Sequence, residues 1–369
     1  MKLQMVDLLT QYDSIKDEID TAVLNTIRSG QYILGKEVKE LEGEIARYLG
    51  CRHAIGCASG TDALQIALMA LHVGPGDEVI TTAFTFVATA ETIALLGAKP
   101  VYVDIRDTDY NIDPSKIEAA ITGKTKAIIP VHLYGHPAPM DEIMDIANKH
   151  DIPVIEDTAQ AIGAEYNSVK VGTIGTFGCI SFFPSKNLGC YGDGGMITTN
   201  DDSLAEKARM ITNHGSRERY YHSEIGVNSR LDTIQAAILL IKLKYLDKWN
   251  ESRRNAAKRY SELLKDAPVT TPVELNGNNH VFHQYTIRGK NRDELSDHLK
   301  LKNIPHAIYY PVPLHLQEAY KYLGYTKGDL PVTERLTGEV LSLPMHPELT
   351  EEQQVFTAGA VKEFYGNAS

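Results

Sequence analysis

The residue with the clearest chemical potential is Lys186, which follows the apolar segment ISFFPS at residues 180–185. A lysine directly after an apolar strand is partly desolvated, which lowers its pKa and frees the neutral amine for Schiff-base chemistry. Pro184 and the glycine-rich stretch NLGCYGDGG at 187–195 predict an irregular loop around it. A lone lysine on a loop is more often solvated, so this interpretation needs support from other residues.

A second feature is the run Ser59-Gly60-Thr61-Asp62, which lies between a predicted strand and a predicted helix. A helix start offers unpaired N–H groups and the positive end of the helix dipole, and both favour a phosphate. Ser, Thr and Asp are also good helix caps, so the run has a purely structural alternative.

A third feature is Glu156-Asp157, at the carboxyl end of the apolar strand PVIED. Ligands of open α/β sheets bind beyond the carboxyl ends of the strands, where a carboxylate can accept a charged hydrogen bond. The alternative is a cap for the segment that begins at Ala159. The segment GVNSR at 226–230 precedes a predicted helix, and it too fits either anion binding or capping.

These features are weak one by one, but their order along the chain is specific. A phosphate-binding helix start is followed by an acidic residue at one strand end and a lysine at another. The glycine cluster at 189–195 does not follow the strand-turn-helix context of a dinucleotide-binding fingerprint, so we set that interpretation aside.

Helix and strand patterns alternate over the first two thirds of the chain, which predicts a mostly parallel sheet with helices on both faces. The predicted helices are 13–29, 36–49, 62–72, 87–97, 139–150, 231–249 and 250–265. The predicted strands are 53–57, 78–82, 100–104, 127–131, 153–156, 175–183 and 195–199. A linker-like composition at 266–280 and new strand and helix patterns after it predict two domains, 1–245 and 246–369.

Composition narrows the possible partners. The net charge of −11 argues against a general nucleic-acid binder, and the basic run at 253–259 is expected to form a solvated helix face. No apolar run is long enough to span a membrane, and the first residues show no signal-peptide pattern. Four cysteines without a CxxC pair predict free thiols, no zinc or other metal site, and a reducing cytoplasmic location.

With these residues in view, the chain resembles the DegT/StrS family of nucleotide-sugar aminotransferases over nearly its whole length. The resemblance implies an α/β fold of type I for pyridoxal 5'-phosphate (PLP) transferases. That fold has a three-layer αβα large domain and a smaller C-terminal α+β domain. The matching segments are QYILG (31–35), SGTDAL (59–64), FTFVATAE (84–91), LLGAKPVYVD (95–104), EDTAQ (156–160), SFFPSKNLGCYGDGG (181–195), GVNSRLDTIQAA (226–237) and LPMHP (343–347).

The resemblance implies PLP as cofactor and Lys186 as the residue that binds it covalently and moves the reacting proton. It places Asp157 at the pyridine nitrogen and Gln160 at the phenolic oxygen. It also places Phe86 against the ring, with Phe84 as the alternative, since the two would share one face of a strand.

For the phosphate, the resemblance implies Gly60, Thr61 and Ser181, completed by Asn228 from the neighbouring subunit of a homodimer with shared active sites. Arg230 is implied near a substrate carboxylate.

For the sugar, the resemblance implies Tyr310 and His315 in the segment YYPVPLH, although turn packing beside the prolines is an equal alternative. Arg217 and Arg219 are candidates for contact with a diphosphate.

The implied reaction transfers an amino group from L-glutamate to a nucleotide-linked keto sugar. The best match is to enzymes that act on UDP-linked 3-keto sugars in surface-polysaccharide or lipopolysaccharide biosynthesis. Aminotransferases of dTDP-linked 3-keto- or 4-keto-6-deoxyhexoses are the alternative. A PLP-dependent sugar dehydratase is less favoured because such enzymes carry His where this chain has Lys186. A non-catalytic regulator is disfavoured by the intact set of Asp157, Gln160 and Lys186.

Overall fold

A computed structural model describes residues 3–218 and 220–367 of the chain. The α-helices in this part are α1 (Leu8–Ser14), α2 (Lys16–Ser29), α3 (Lys36–Leu49), α4 (Gly60–Ala70), α5 (Ala88–Leu95), α6 (Pro114–Ala120), α7 (Met140–Lys149), α8 (Asp202–Thr212), α9 (Thr233–Leu243), α10 (Leu246–Leu264), α11 (Arg292–Leu301), α12 (Pro331–Thr337) and α13 (Glu351–Asn367). Short 3-10 helices lie at Leu133–Gly135, Leu314–Leu316 and Glu318–Leu323.

The strands of the described part range from two to five residues. They are β1 (His53–Cys57), β2 (Glu78–Thr82), β3 (Lys99–Val103), β4 (Thr125–Ile128), β5 (Ile155–Asp157), β6 (Glu165–Tyr166), β7 (Val169–Lys170), β8 (Phe177–Ser181), β9 (Gly195–Thr199), β10 (Ser216–Glu218), β11 (Tyr221–His222), β12 (Val269–Thr270), β13 (Asn278–Asn279), β14 (Tyr285–Gly289) and β15 (Val340–Leu343).

Seven strands form the central sheet in the order β3-β2-β4-β5-β8-β9-β1. Parallel bridges from Ile128 to Val154 and from Val131 to Asp157 join the β4 side to the β5 side. Strand β9 is antiparallel to β8 and β1, and the other neighbouring pairs are parallel. The predicted α/β fold with a largely parallel sheet is therefore confirmed.

Helices cover both faces of this sheet because its strands are apolar on both sides. Val79 packs into a cluster with α4, whereas its neighbour Ile80 packs into a cluster with α6 and α7. Helix α3 buries its predicted stripe, which includes Val38 and Leu41, and ends at Gly50 in the left-handed conformation (φ 82°).

A second core lies in the C-terminal part of the chain. Strands β12, β14 and β15 form an antiparallel sheet, and it packs with residues of α10, α11 and α13. Tyr260 and Tyr285 meet in this core with ring centroids 5.0 Å apart. No helix of the described residues is long and apolar enough to cross a membrane.

Two local predictions are wrong. The apolar segment 231–249 is not one helix, because α9 closes with a hydrogen bond from Tyr245 N to Lys242 O and α10 begins one residue later. The basic run of α10 is not wholly solvated either. Arg253 is 2% exposed, since its guanidinium donates to the carbonyls of Phe282 and Met345.

Glu156 and Asp157, adjacent on β5, have different surroundings because side chains alternate along a strand. The buried Glu156 carboxylate accepts hydrogen bonds from the backbone amides of residues 172, 174 and 175, at 2.7 Å each. His132 Nε2 lies 2.9 Å from the same carboxylate. Glu156 therefore ties the turn before β8 to the sheet.

We predict that Glu156→Ala lowers the free energy of unfolding by about 3–5 kcal/mol, because it leaves several buried donors unpaired. Glu156→Gln keeps one acceptor oxygen and is the matched control, with a loss of about 1–3 kcal/mol. Chemical denaturation measures both values. Equal stability of Glu156→Ala and the wild type would contradict this role.

Candidate active site

A cavity of about 530 Å³ lies beyond the carboxyl ends of β5 and β8 and at the start of α4. It is lined by Gly60, Asp157, Lys186 and Tyr310 among others. The structure thus brings together the three features that the sequence singled out: the helix start, the strand-end acid and the lysine.

One end of the cavity is the first turn of α4. Ser59 caps the helix, and its hydroxyl accepts from Asp62 N at 3.0 Å. Gly60 and Thr61 occupy the first turn, where backbone N–H groups have no partner within the helix. A Cβ atom at Gly60 would lie 2.6 Å from the Cβ of Ser181, so only glycine allows this close approach.

Both carboxylate oxygens of Asp157 are held by donors. Oδ1 accepts from Ala159 N at 3.1 Å, and Oδ2 accepts from the Thr89 hydroxyl at 2.8 Å. Burial raises the pKa of Asp157, whereas these two hydrogen bonds and the charge of Lys186 lower it. The group is 5% exposed and lines the cavity.

Lys186 stands in the loop after β8, and its backbone N donates to Phe183 O at 2.8 Å. Burial lowers the pKa of Lys186 to about 8, against the charge of Asp157, which raises it. The neutral fraction of this amine near neutral pH is therefore much larger than that of a free lysine, whose pKa is about 10.4. This is the condition for a lysine nucleophile.

Gln160 has a fixed amide orientation. Its Oε1 accepts from Tyr134 N at 2.7 Å, and its Nε2 donates to the Tyr310 hydroxyl at 3.1 Å. The donor end of the amide therefore faces the cavity together with Tyr310.

Phe86 and Phe84 lie in different environments. Phe86 is 55% exposed, lines the cavity and has its ring centroid 6.3 Å from that of Tyr310. Phe84 is 1% exposed and packs against Tyr110 and Tyr134. Strand β2 ends at Thr82, so the strand alternation assumed for these two residues does not apply.

Three residues named by the resemblance do not line the cavity of this chain. Asn228 is exposed, and Arg230 donates to Asn213 Oδ1 at 3.3 Å. His315 is buried, with Nε2 3.1 Å from Glu334 Oε1 and Nδ1 without a partner in the described residues.

Of the two arginines considered for a diphosphate, Arg217 lies on β10. Arg217 pairs with Glu206 at 2.9 Å, and Arg219 lies outside the described residues.

Sequence reasoning missed several residues of the site. Thr85, His283, Gln284 and Tyr309 line the cavity, and Thr89 lies behind Asp157. Thr85 and Thr89 fall inside the segment FTFVATAE, four residues apart, and this spacing was the available signal. Among the described residues no group of three or more His, Cys, Asp or Glu side chains is arranged to hold a metal ion.

The profile of the DegT/DnrJ/EryC1/StrS aminotransferase family matches residues 13–362. The chain belongs to this family. Among its relatives, a "pleiotropic regulatory protein" of Geobacillus stearothermophilus is 56% identical over 99% of both chains. The UDP-2-acetamido-2-deoxy-3-oxo-D-glucuronate aminotransferase of Pseudomonas aeruginosa is 53% identical over 94% of this chain and 96% of the relative.

Solved structures agree with the assignment to this aminotransferase family. An aminotransferase of the family from Brucella abortus has a TM-score of 0.96 and 45% identity, with 99% of this chain and 100% of that chain covered. The protein NtdA from Bacillus subtilis, with bound cofactor PMP, has a TM-score of 0.89 and 33% identity, with 98% and 83% covered. The family is PLP-dependent, so this family member is a PLP-dependent aminotransferase.

The residues present fit PLP. The helix start at Gly60, where a Cβ would collide with Ser181, is a cradle for a phosphate. The Asp157 carboxylate matches a protonated pyridine nitrogen, and the partly neutral amine of Lys186 matches an aldehyde.

We predict that capture of PLP by Lys186 in the apoprotein speeds up as pH rises through about 8 and then levels off, since only the neutral amine attacks. Stopped-flow growth of the visible absorption band measures this rate. Asp157→Asn removes the charge that raises the pKa of Lys186, so the pH midpoint of the capture rate shifts to lower pH in this variant. A wild-type midpoint at the value of a free lysine, about 10.4, would contradict the predicted desolvation.

Proposed function

We propose that this protein transfers an amino group from L-glutamate to a nucleotide-linked keto sugar, with a UDP-linked 3-keto sugar as the first choice. The observation that carries the proposal is the meeting of Lys186 and Asp157 in one cavity of an aminotransferase fold. The choice of sugar is supported by the Pseudomonas relative, a UDP-2-acetamido-2-deoxy-3-oxo-D-glucuronate aminotransferase that is 53% identical. A dTDP-linked 3-keto- or 4-keto-6-deoxyhexose is the alternative acceptor.

When bound, PLP supplies an aldehyde that condenses with amines and a ring that takes up the electron pair released at the substrate carbon. In our proposal Lys186 holds the cofactor. Its Nζ then carries the proton between the reacting carbon of the substrate and the carbon of the cofactor. The Asp157 carboxylate keeps the ring nitrogen protonated, and Gln160 Nε2 donates to the phenolic oxygen. Phe86 covers the ring from the open side, and this is supported by its exposed position in the cavity wall.

Other residues are proposed to bind the cofactor phosphate and the sugar. Gly60 and Thr61 hold the phosphate at the start of α4, and Ser181 holds it from the end of β8. Tyr310 meets the sugar, supported by its place in the cavity. His315 is proposed for the same sugar site on the resemblance alone, since it is buried against Glu334 and does not line the cavity.

We also propose a homodimer in which Asn228 and Arg230 act on the partner's active site. Neither residue lines this chain's own cavity, and Asn228 is exposed. Large apolar side chains lie exposed in the segment QYILG and beside GVNSR, where a partner surface would cover them: Tyr32, Ile33, Leu34 and Ile225 are 48–86% exposed. The planar guanidinium of Arg230 suits a carboxylate of the amino donor or the sugar.

The resemblance supports three further parts of the proposal. These are a cytoplasmic location, a role in surface-polysaccharide or lipopolysaccharide biosynthesis, and a division into domains 1–245 and 246–369. The last is also supported by the separate C-terminal core around Tyr260 and Leu341.

A ligand-binding regulator is the second candidate, because the 56% identical relative is named a regulatory protein. The placement of Lys186, Asp157 and Gln160 in one cavity favours catalysis over binding alone.

The test is half-reaction spectroscopy followed by a substrate panel. We expect the PLP-loaded protein to show a visible band that L-glutamate bleaches with release of 2-oxoglutarate. After this half-reaction with glutamate, the protein is expected to aminate UDP-linked 3-keto sugars faster than dTDP-linked 3-keto or 4-keto sugars. Lys186→Ala is the control and shows neither the lysine-dependent band nor turnover. Binding of sugar nucleotide without any amino transfer would favour the regulator instead.

Subunit mixing tests the shared site. Asn228→Ala and Lys186→Ala proteins are each expected to be inactive. Their hybrid regains activity in one of its two sites, because the intact Lys186 and the intact Asn228 then meet there. An inactive hybrid would place Asn228 in the same subunit as the site it serves.

A further inference from the structure

Two threonine hydroxyl groups form a hydrogen-bonded chain that ends at Asp157. Thr89 Oγ1 is 2.8 Å from Asp157 Oδ2, and Thr85 Oγ1 is 3.1 Å from Thr89 Oγ1. Thr85, Thr89 and Asp157 are all buried, with exposed fractions of 2%, 0% and 5%. Thr85 and Asp157 line the cavity, whereas Thr89 does not, so Thr89 lies one residue back from the cavity wall, between the two.

The direction of these hydrogen bonds follows from the chemistry of the groups. An ionised carboxylate only accepts, so the Thr89 hydroxyl donates to Asp157. The single proton of that hydroxyl is then used, so the Thr85 hydroxyl donates to Thr89 Oγ1. The second carboxylate oxygen, Asp157 Oδ1, accepts a hydrogen bond from Ala159 N at 3.1 Å. Two fixed donors therefore set both the position and the plane of the carboxylate.

The charge of Asp157 needs this support because the group is buried. Burial raises its pKa, and the hydrogen bond from Thr89 is the largest of the contributions that lower it. A hydrogen bond to the charged form of a carboxylate favours that form, and such bonds are the stronger ones in proteins.

We propose that Thr89, ordered by Thr85, is a positioning residue of the cofactor site that holds Asp157 anionic and aimed at the ring nitrogen of PLP. The inference rests on the role proposed above for Asp157 and adds to it. In this inference Thr89 acts on the cofactor through Asp157, so its contribution to binding depends on the presence of the ring nitrogen.

The test compares PLP with 1-deaza-PLP, in which carbon replaces the ring nitrogen, by titration of the apoprotein with each compound. Thr89→Val removes the hydroxyl at nearly constant shape, and we expect it to weaken PLP binding about tenfold, as for loss of a charge-assisted hydrogen bond. Thr89→Ser keeps the hydroxyl as the matched control and stays within about twofold of the wild type. Thr85→Val gives a smaller loss than Thr89→Val. We expect 1-deaza-PLP to bind the wild type and Thr89→Val equally.

Equal losses for PLP and 1-deaza-PLP in Thr89→Val would overturn the inference, because a merely structural role weakens both compounds alike. Thr89→Ala also lacks the hydroxyl and provides the same comparison if the valine variant does not fold. Asp157→Asn separates the two proposals. If it weakens PLP selectively and neither hydroxyl-free Thr89 variant does, the Thr89 inference fails alone. If it leaves the preference for PLP over 1-deaza-PLP unchanged, the proposed role of Asp157 fails.

Discussion

The candidate active site depends on two groups of opposite charge that line one cavity, the buried carboxylate of Asp157 and the partly buried amine of Lys186. Burial disfavours the charged form of each group, and the charge of each partner works against that effect on the other. The balance leaves a lysine whose pKa is lowered to about 8 beside a carboxylate held by two hydrogen bonds. The fold brings the two groups together by placing Asp157 at the end of β5 and Lys186 in the loop after the neighbouring parallel strand β8.

Burial alone does not make a lysine part of the site. Lys242 is 1% exposed, and burial lowers its pKa to about 8 as well. Its amine donates to the carbonyl of Gly189 and lies over the rings of Tyr191 and Trp249, outside the lining of the cavity. What distinguishes Lys186 is that it lines one cavity together with Asp157 and with Gly60 at the start of α4.

The sequence predicted the sheet and the three features that meet in the cavity, because strand ends and helix starts are visible in local patterns. It did not predict the partners of Asp157, since Thr89 reaches it from 68 positions away. The choice between Phe84 and Phe86 was open because it assumed a strand that in fact ends at Thr82. The burial of Arg253 could not be predicted either, because the carbonyl groups that it contacts lie on distant segments of the chain.

We propose that Lys186 carries the cofactor, and this role can be tested directly. Borohydride reduction of the PLP-loaded protein fixes the cofactor to its lysine, and peptide mass spectrometry then locates it. We expect one phosphopyridoxyl group per chain, on Lys186, with Lys242 unmodified although burial lowers its pKa to a similar value. A label on Lys242 or on any other lysine, with Lys186 free, would contradict the proposed role of Lys186.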